Sequence, residues 1–511
     1  MELKKLHFLG LLLGLFFALE PSYIHPDEHF QGLNIVLSKI SSINSYIPWE
    51  FELQNGSRSY LPIFIHYGPV VVLNKYVLHL KSATGLLYLA RLQNYAVFVL
   101  ASKLALQFLV VGSKFERTKA DFLISTSYIF WTYQTHTFSN STETIILLTV
   151  TSLWKALLRD SRNPIFQHFK TSALLGILIS FGIFNRITFP AFLFLPGLLT
   201  LKRFYLHHLR SLLVCAFFFV LASLFTIAFD TYMYGSENWC ITPLNNLRYN
   251  TDAKNLAQHG LHPRITHLLV NLPQIMGPMV FFIFKIDADI SRLVCFSGLA
   301  LLSIFQHQEL RFLVPLLPFL CISVDLSSIR KVVRPRILLI FWFIFNIIMG
   351  IVMGSLHQRG VIDALQRLTS QETQTNVHVW WKTYPPPTWM YLSPNLTVSV
   401  PNQSDGQERV GLIDFSVLQD HVVDLMGCDV ELLALTLSNF FLQGSAANIT
   451  LISPTSMSED LSILCKKYPT LEIKRTWHSP WNLDLDHLDF GRSLLPITGI
   501  DIHQVSKKSN Q

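Results

Sequence analysis

Long apolar segments recur through the first 354 residues of the chain, and this pattern constrains the fold more than any other feature. Each segment is long enough to cross a bilayer, or nearly so when tilted. Half of the 511 residues are hydrophobic and only 14% are charged, which is too apolar for a soluble protein of this length. The sequence therefore predicts an α-helical polytopic membrane protein with about eleven transmembrane helices. The predicted spans are residues 6–22, 86–111, 121–138, 142–158, 171–184, 187–201, 211–229, 267–284, 290–306, 312–325 and 337–354.

Charge divides the chain near residue 355. Residues 1–354 carry 29 Lys and Arg against 17 Asp and Glu, whereas residues 355–511 carry 11 against 16. This difference predicts a basic multispanning module over 1–354 and an acidic, water-facing C-terminal domain over 355–511. The basic residues lie in short runs between apolar segments, a pattern that orients membrane proteins, so nucleic-acid binding is excluded.

The basic runs also predict the orientation of the spans. With Lys4 and Lys5 in the cytosol, the basic loops are cytosolic, and the opposite short loops carry one arginine each or none. Residues 61–80 are nearly long enough to span, but counting them would place the basic loops outside, so we interpret them as interfacial. The predicted topology has a large first lumenal loop, 24–85, and a lumenal C-terminal domain.

Five N-x-S/T sequons fall on the lumenal side of this topology, which supports it independently. Asn55, Asn395, Asn402 and Asn448 are predicted glycosylation sites, whereas Asn140 lies too close to the membrane. Several spans are short, and the endoplasmic reticulum bilayer, which is thinner than average, would suit them.

The segment after residue 354 is predicted to form a small lumenal α/β domain. Its strand signals are RVGLIDFSVL (409–418) and NITLIS (448–453), its helix signal is VELLALTLSNFFL (430–442), and its stiff entry is YPPPTW (384–389). Cys428 and Cys465 lie here, and they fit either a disulfide in an oxidising compartment or two thiols.

The stretch PSYIHPDEHFQ (21–31) concentrates ionisable groups at the rim of the first apolar segment. Pro26 suits the first helical position and apolar residues follow at helical spacing, which predicts a short amphipathic helix on the lumenal surface. Asp27 and Glu28 would point about 100° apart in its first turn, so they cannot do the same job. Acids also occur at helix starts without any function, and that alternative stays open here.

A second ionisable cluster, FQHQELRF (305–312), lies between two late spans on the same side of the membrane. Charged residues between spans often form a solvated turn, but charges at membrane depth indicate function. Two clusters on one face suggest a single lumenal site with a carboxylate base and cations for a phosphate. Arg186, at another lumenal end, fits either a phosphate contact or a snorkelling side chain.

HPDEHFQ (25–31) and HQELRF (307–312) resemble the HPDE and HKExRF motifs of the dolichyl-phosphate-mannose-dependent mannosyltransferases, a GT-C group of the endoplasmic reticulum serving N-glycan and GPI-anchor assembly. Gln308 departs from the usual lysine of the second motif. The strings that look most like the members adding the fourth GPI mannose are PSYIHPDEHFQ, IPWEF (47–51), RSY (58–60), YGP (67–69) and RLQN (91–94). Members adding the third GPI mannose or N-glycan mannoses share the HPDE core and remain the alternative.

The resemblance implies an inverting α-1,2 transfer of mannose from dolichyl phosphate mannose to the GPI glycolipid precursor, with no cofactor and no essential metal. Such a displacement needs a base on the acceptor hydroxyl and stabilisation of the departing phosphate. By this resemblance Asp27 is the expected base, with Glu28 orienting it or holding the acceptor sugar. Arg311 and His307 are expected at the lipid phosphate, with Glu309 fixing Arg311.

Four further residues are expected acceptor contacts: His25, His29, Glu50 and Arg58. For Glu50 and Arg58 a structural ion pair is the alternative, and Trp49 either stacks on a sugar or packs in the protein. The histidine-rich acid stretch also fits a metal site, which this chemistry does not require.

Two other functional classes stay open. A lipid or solute transporter would place its acids near the bilayer midplane, commonly within inverted repeats, whereas these acids lie at a rim and no repeat is evident. A non-catalytic subunit of a glycosyltransferase complex would have no need of an intact acid pair.

Overall fold

The structure is a computed structural model that describes residues 2–54, 56–159, 165–252, 254–255, 260–283, 289–325, 334–370, 377–401, 413–418, 420–443, 448–491 and 496–508. The chain forms two compact units. The helical unit comprises Met1–Leu19, Pro48–Val70 and Leu89–Gly350. The C-terminal unit comprises Glu20–Ile47, Val71–Tyr88 and Ile351–Gln511.

Helices form at every predicted span, as the apolar segments require in lipid. The α-helices lying wholly or mainly in the helical unit are Glu2–Ala18, Tyr60–Leu73, Ala83–Leu109, Lys114–Ser125, Ser139–Arg159, Ile165–Asn185, Phe189–Arg203, Leu209–Tyr234, Thr242–Thr251, Leu272–Met276, Ile290–Leu302, Leu317–Ser323 and Pro335–Ile351. Short 3₁₀ or π turns occur at Trp49–Phe51, Phe130–Gln134, Tyr205–His207, His267–Asn271, Gly277–Phe282 and Leu310–Leu316.

Several of these helices have the length and composition of membrane spans, so the chain is a multi-pass membrane protein. In the described part of the chain, those long and apolar enough are Tyr60–Leu78, Ala83–Leu109, Phe189–His207, Leu209–Tyr234 and Arg336–Leu356. Shorter apolar helices, such as His267–Phe282 and Leu310–Ser323, are interrupted where proline removes a backbone donor. The count of about eleven spans stays a prediction.

The large first loop predicted over 24–85 is not a loop throughout. Residues Tyr60–Leu73 form an α-helix that continues through a π turn at Asn74–Leu78, and this helix is long and apolar enough to cross. The interfacial placement of 61–80 therefore rests on the charge pattern alone and stays a prediction.

The C-terminal unit contains a six-stranded sheet in the order β2-β3-β1-β4-β6-β5. The strands are β1 Val377–Trp380, β2 Thr397–Ser399, β3 His421–Asp424, β4 Ile449–Pro454, β5 Leu471–Ser479 and β6 Ile500–Lys507. β2, β3, β1 and β4 are parallel, and β6 runs antiparallel to β4 and β5. The parallel strands therefore end along one edge, which is where open α/β sheets commonly bind ligands.

Apolar side chains of the strands and two helices form the core beside this sheet. The C-terminal unit includes the helices Asn34–Ile40, Arg359–Ser370, Val430–Gln443 and Ser458–Lys467. The last two of these helices contribute to the core. Core residues from the strands are Val377, Val379, Val423, Ile449, Leu451 and Val505, and those from the helices are Leu433, Leu437, Phe440, Leu461 and Leu464. Alternate strand residues face the same side, so this set covers one face of the sheet.

The predicted α/β character of the C-terminal segment is correct, and its lumenal placement stays a prediction. The helix predicted over 430–442 and the strand over 448–453 are present. The strand predicted over 409–418 is wrong where it is described: residues 413–418 contain a turn at 415–416 and no strand, and β3 begins at His421. YPPPTW follows β1, so it lies inside the domain and is not its entry. Cys428 and Cys465 are thiols in the structure.

Candidate active site

The predicted helix of the acid stretch begins at the expected place. The backbone N–H of Glu28 donates to the carbonyl of His25 at 3.0 Å. Nδ1 of His25 accepts the N–H of Asp27 at 3.1 Å, so this side chain satisfies a donor that the first helical turn leaves open. The helix continues through a π turn at His29–Leu33 and ends at Ile40.

The prediction that this helix is amphipathic and lies on a surface is wrong. Residues 28–37 are all buried, including the polar side chains of Gln31 and Asn34 between the apolar positions. Asn34 tolerates burial because its Nδ2 donates to the carbonyl of Tyr46 at 2.7 Å. The acid stretch is thus built into the interior of the C-terminal unit.

The two carboxylates of the acid pair have different environments. Asp27 keeps 21% of its side chain exposed, and its Oδ1 lies 3.6 Å from Nδ1 of His25. Glu28 is completely buried. An external hydroxyl can therefore approach Asp27, whereas Glu28 acts on its surroundings from inside the protein.

His29 is packed into the protein and is not accessible in this structure. Its ring meets the ring of Tyr23 edge-on, with centroids 4.6 Å apart, and its centroid lies 6.2 Å from that of Trp389. His25, by contrast, keeps 33% of its side chain exposed. Of the two histidines predicted to contact the acceptor, His25 is partly exposed and His29 is buried.

A third carboxyl group, Asp424, lies in the same unit at the carboxyl end of β3. It is buried, and its Oδ1 accepts the N–H of Met426 at 2.9 Å. Burial raises the pKa of Asp424 to about 7. Asp424 also acts electrostatically on Tyr23, as do Asp27 and Glu28. Three carboxyl groups therefore act electrostatically on one tyrosine.

The second predicted cluster, in the helical unit, forms a compact ion network. Arg311 donates through Nε and Nη2 to the two oxygens of Glu309, the second bond being 3.0 Å long. Nε2 of His307 lies 2.7 Å from Oε1 of Glu309. Burial alone would lower the pKa of His307, but the hydrogen bond and charge of Glu309 outweigh it and raise the pKa. The cluster is mostly buried and is not a solvated turn.

Gln308 has a structural role in this segment. It is buried, and its Oε1 accepts the N–H of His267 at 2.7 Å. Its Nε2 donates to the carbonyls of Arg264, Ser303 and Phe305. A neutral amide, which both donates and accepts, fits this position.

Arg186 is held beside this cluster and does not snorkel. Its guanidinium lies 3.3 Å from Glu143 and donates to Ser139 at 2.8 Å. It also lies 5.5 Å from the centre of the Phe312 ring, and Arg311 lies 5.4 Å from the same centre. Two arginines thus flank one ring, which concentrates positive charge near the predicted phosphate position.

Glu50 and Arg58 form the ion pair given as the structural alternative. Arg58 Nε donates to Glu50 Oε1 at 3.0 Å, and both side chains are mostly buried. The hydroxyl of Tyr234 donates to the carbonyls of both residues. Trp49 packs against Tyr249, with ring centroids 4.3 Å apart. A role for Glu50 and Arg58 in acceptor binding stays a prediction.

The predicted site residues are divided between the two units. His25, Asp27, Glu28 and His29 belong to the C-terminal unit, and Glu50, Arg58, His307, Glu309 and Arg311 belong to the helical unit. In the part of the chain that the structure describes, no three metal-ligating side chains form a metal-binding group.

The sequons differ in accessibility. Asn395 and Asn448 are exposed, and Asn140 is buried within the Ser139–Arg159 helix. Asn55 and Asn402 lie outside the described residues.

Three residues of these networks escaped the sequence analysis. Asp424 ends a strand whose position was predicted wrongly, and Tyr23 carries no charge to attract attention. Glu143 carried a usable signal, because an acid inside a predicted span usually marks a functional or paired group.

Comparison with known proteins identifies relatives along almost the full chain. The sequence profile of the Alg9-like mannosyltransferase family matches residues 6–393. Curated relatives named GPI mannosyltransferase 4 match at similar identity. The one from Eremothecium gossypii is 42% identical over 508 residues, covering 99% of this chain and 100% of its own length. The one from Saccharomyces cerevisiae is 42% identical over 511 residues, covering 98% of each chain.

One solved structure shares the fold. The crystal structure of ArnT from Cupriavidus metallidurans, bound to undecaprenyl phosphate, superposes with a TM-score of 0.56 and covers 98% of this chain and 97% of its own. The two sequences are only 10% identical, so this likeness concerns the fold alone. Together with the family match, it supports a polytopic membrane glycosyltransferase fold.

Proposed function

The chain belongs to the Alg9-like mannosyltransferase family, and from that premise we propose that it adds the fourth mannose of the GPI anchor. In this proposal dolichyl phosphate mannose is the donor, the third mannose of the GPI precursor is the acceptor, and the new bond is an α-1,2 linkage formed in the endoplasmic reticulum lumen. Full-length similarity to several proteins named GPI mannosyltransferase 4 supports the choice of acceptor.

The single observation that carries the proposed chemistry is the split environment of the acid pair. Asp27 is accessible and Glu28 is buried. The acceptor hydroxyl oxygen attacks the anomeric carbon of mannose from the face opposite the phosphate, and Asp27 takes the hydroxyl proton. The bond from the anomeric carbon to the phosphate oxygen breaks, its electrons leave with the phosphate, and the configuration inverts.

The departing phosphate gains negative charge, and the 307–311 cluster has the groups to stabilise it. Glu309 already orients the guanidinium of Arg311, so this side chain needs little further ordering when a phosphate binds. Glu309 also favours the charged form of His307, which adds a second cation. This chemistry requires no cofactor and no divalent metal.

Depletion of the protein in cells tests the proposed acceptor. Lipid-linked glycans are extracted and separated by size, and a GPI precursor with three mannoses is expected to accumulate. Accumulation of a two-mannose GPI precursor or of a truncated N-glycan precursor would instead assign the chain to one of the alternative steps.

Transfer assays in membranes test the donor and the metal independence. Radiolabelled dolichyl phosphate mannose is expected to label the precursor at an unchanged rate after chelation of divalent metals. A second assay supplies nucleotide-linked mannose while the synthesis of dolichyl phosphate mannose is blocked. If the precursor is labelled only in that assay, the proposed donor is wrong.

A further inference from the structure

Tyr23 connects the acid stretch to the sheet domain of the C-terminal unit. Its side chain is completely buried, and its hydroxyl donates to the carbonyl of Pro385 at 2.9 Å. Its backbone N–H donates to the carbonyl of His357 at 3.2 Å. Both partners are more than 300 residues away in sequence, so the start of the acid stretch is fixed by a distant part of the chain.

The Tyr23 ring is packed between two neighbours that fix its direction. The ring of His29 lies on one edge at 4.6 Å and that of Tyr384 at 5.3 Å, both nearly perpendicular to it. Burial raises the pKa of Tyr23 well above its ordinary value, and the nearby Tyr384, Glu28, Asp424 and Asp27 raise it further. The hydroxyl therefore stays protonated and remains a hydrogen-bond donor.

The residues that hold Tyr23 are themselves held by the sheet. Pro385 belongs to the connection that leaves β1 at the edge where the parallel strands end. Within that connection the N–H of Lys382 donates to the carbonyl of Met426, just after β3, at 2.8 Å. Further along, Oγ1 of Thr388 accepts the N–H of Tyr46 at 2.9 Å. The connection thus holds the chain on both sides of the acid helix, at Tyr23 before it and at Tyr46 after it.

We propose that Tyr23 is a positioning residue for Asp27 and Glu28, and that the C-terminal domain contributes to mannosyl transfer through it. Only three residues separate Tyr23 from Asp27, and His25 among them caps the acid helix. A base that is displaced by about 1 Å loses roughly 100-fold in rate, so fixing Tyr23 has a direct catalytic value. This inference rests on the proposed mannosyltransferase function.

The test compares purified full-length enzyme with its Tyr23→Phe variant, which loses the hydroxyl but keeps the ring contacts. We expect kcat for mannosyl transfer to fall roughly 10-fold or more, with KM for donor and acceptor changed by less than about 2-fold. Tyr468→Phe, at a half-buried tyrosine of the same domain, is the matched control and is expected to keep wild-type kinetics.

A second background separates positioning from a general loss of structure. Tyr23→Phe is also combined with Asp27→Glu, whose base is already displaced. If Tyr23 acts through Asp27, Tyr23→Phe should lower kcat little further in the Asp27→Glu background, because substitutions of residues that act together are not additive. Rates are normalised to folded enzyme, measured by thermal unfolding. Thr388→Val weakens the same hold on the chain and replaces Tyr23→Phe if that variant does not accumulate.

Wild-type kcat in Tyr23→Phe, or an equal loss in both backgrounds, would overturn the positioning role while leaving the proposed function intact. A wild-type enzyme that transfers no mannose would overturn the proposed function, and the inference that rests on it.

Discussion

The two ionisable clusters are built in different ways. In the 307–311 cluster the charged groups stabilise each other: Glu309 binds Arg311 and His307 within five residues of chain. In the acid stretch the key contacts come from far away, from Pro385 and His357 to Tyr23. The pairing of charges among His307, Glu309 and Arg311 is thus local, whereas the start of the acid stretch is held by residues of the C-terminal domain.

This difference has a consequence for how each cluster tolerates change. Substitutions of the charged residues His307, Glu309 and Arg311 should weaken the binding of a negatively charged group and leave the rest of the protein folded. Changes in the C-terminal domain should reach the acid pair although they lie far from it in sequence. Substitutions in each cluster therefore show whether the two clusters differ in this way.

Outside the acid pair itself, the largest effect is expected for Arg311→Ala. Removing a donor aimed at the developing phosphate charge should lower kcat by roughly 10²–10³, with a smaller loss for Arg311→Lys, which keeps the charge but not the two-pronged bond. Steady-state transfer from dolichyl phosphate mannose measures this, and the exposed Arg475→Ala is the control. Activity of Arg311→Ala within about 2-fold of wild type would remove Arg311 from the phosphate site.

Asp424 is predicted to make the stability of the protein depend on pH. The pKa of Asp424 is about 7 in the folded domain and about 4 in the unfolded chain. Between these values the folded domain holds the proton and the unfolded chain does not, so the free energy of unfolding falls as pH rises. His378, whose pKa burial lowers to about 4, acts in the opposite sense, so the comparison must be made between variants. When thermal unfolding is measured across this pH range, Asp424→Asn should lack the decrease in stability that Asp424 causes in the wild type.

The exposed Asp460→Asn serves as control for that experiment and should unfold as wild type does at each pH. If Asp424→Asn shows the wild-type dependence on pH, Asp424 is not the group that holds the proton.

Gln308→Leu should destabilise the helical unit by about 1–3 kcal/mol, because the buried N–H of His267 and several carbonyls lose their partner. The midpoint of thermal unfolding in detergent measures this effect. Gln306→Leu, two residues away and exposed, is expected to unfold at the wild-type temperature. An equal midpoint for both variants would contradict the structural role of Gln308.

The smallest effect is expected at the sequons. Asn395→Gln and Asn448→Gln should each remove one glycan, seen as faster migration on a gel, with stability changed by less than about 0.5 kcal/mol. Asn140→Gln should migrate as wild type because Asn140 is buried. Absence of glycans at both exposed sites would count against the lumenal placement of the C-terminal domain.

Local signals were enough to predict much of this architecture. Apolar segments located the helices, Pro26 located the start of the acid helix, and the family resemblance of HQELRF predicted the contact of Glu309 with Arg311. In each case the determining partners lie within a few residues of one another. Local chemistry therefore decides the outcome.

Contacts between distant parts of the chain were beyond the sequence. Tyr23 is recognisable as important only when Pro385 is seen beside it, and the burial of Gln31 and Asn34 depends on chain that covers the polar face of their helix. β3 is short and buried throughout, so it has no alternation of polar and apolar residues to mark it. The prediction that the acid helix is amphipathic failed because its polar residues Gln31 and Asn34 are buried.

The most direct test of the account is the comparison of Asp27→Asn with Glu28→Gln in purified enzyme supplied with dolichyl phosphate mannose and a three-mannose GPI precursor. With Asp27 as the base, Asp27→Asn should lower single-turnover transfer by about 10²–10⁴, whereas the buried Glu28→Gln should retain measurable transfer. The account is contradicted if Asp27→Asn transfers mannose at the wild-type rate, or if Glu28→Gln is the variant that loses it.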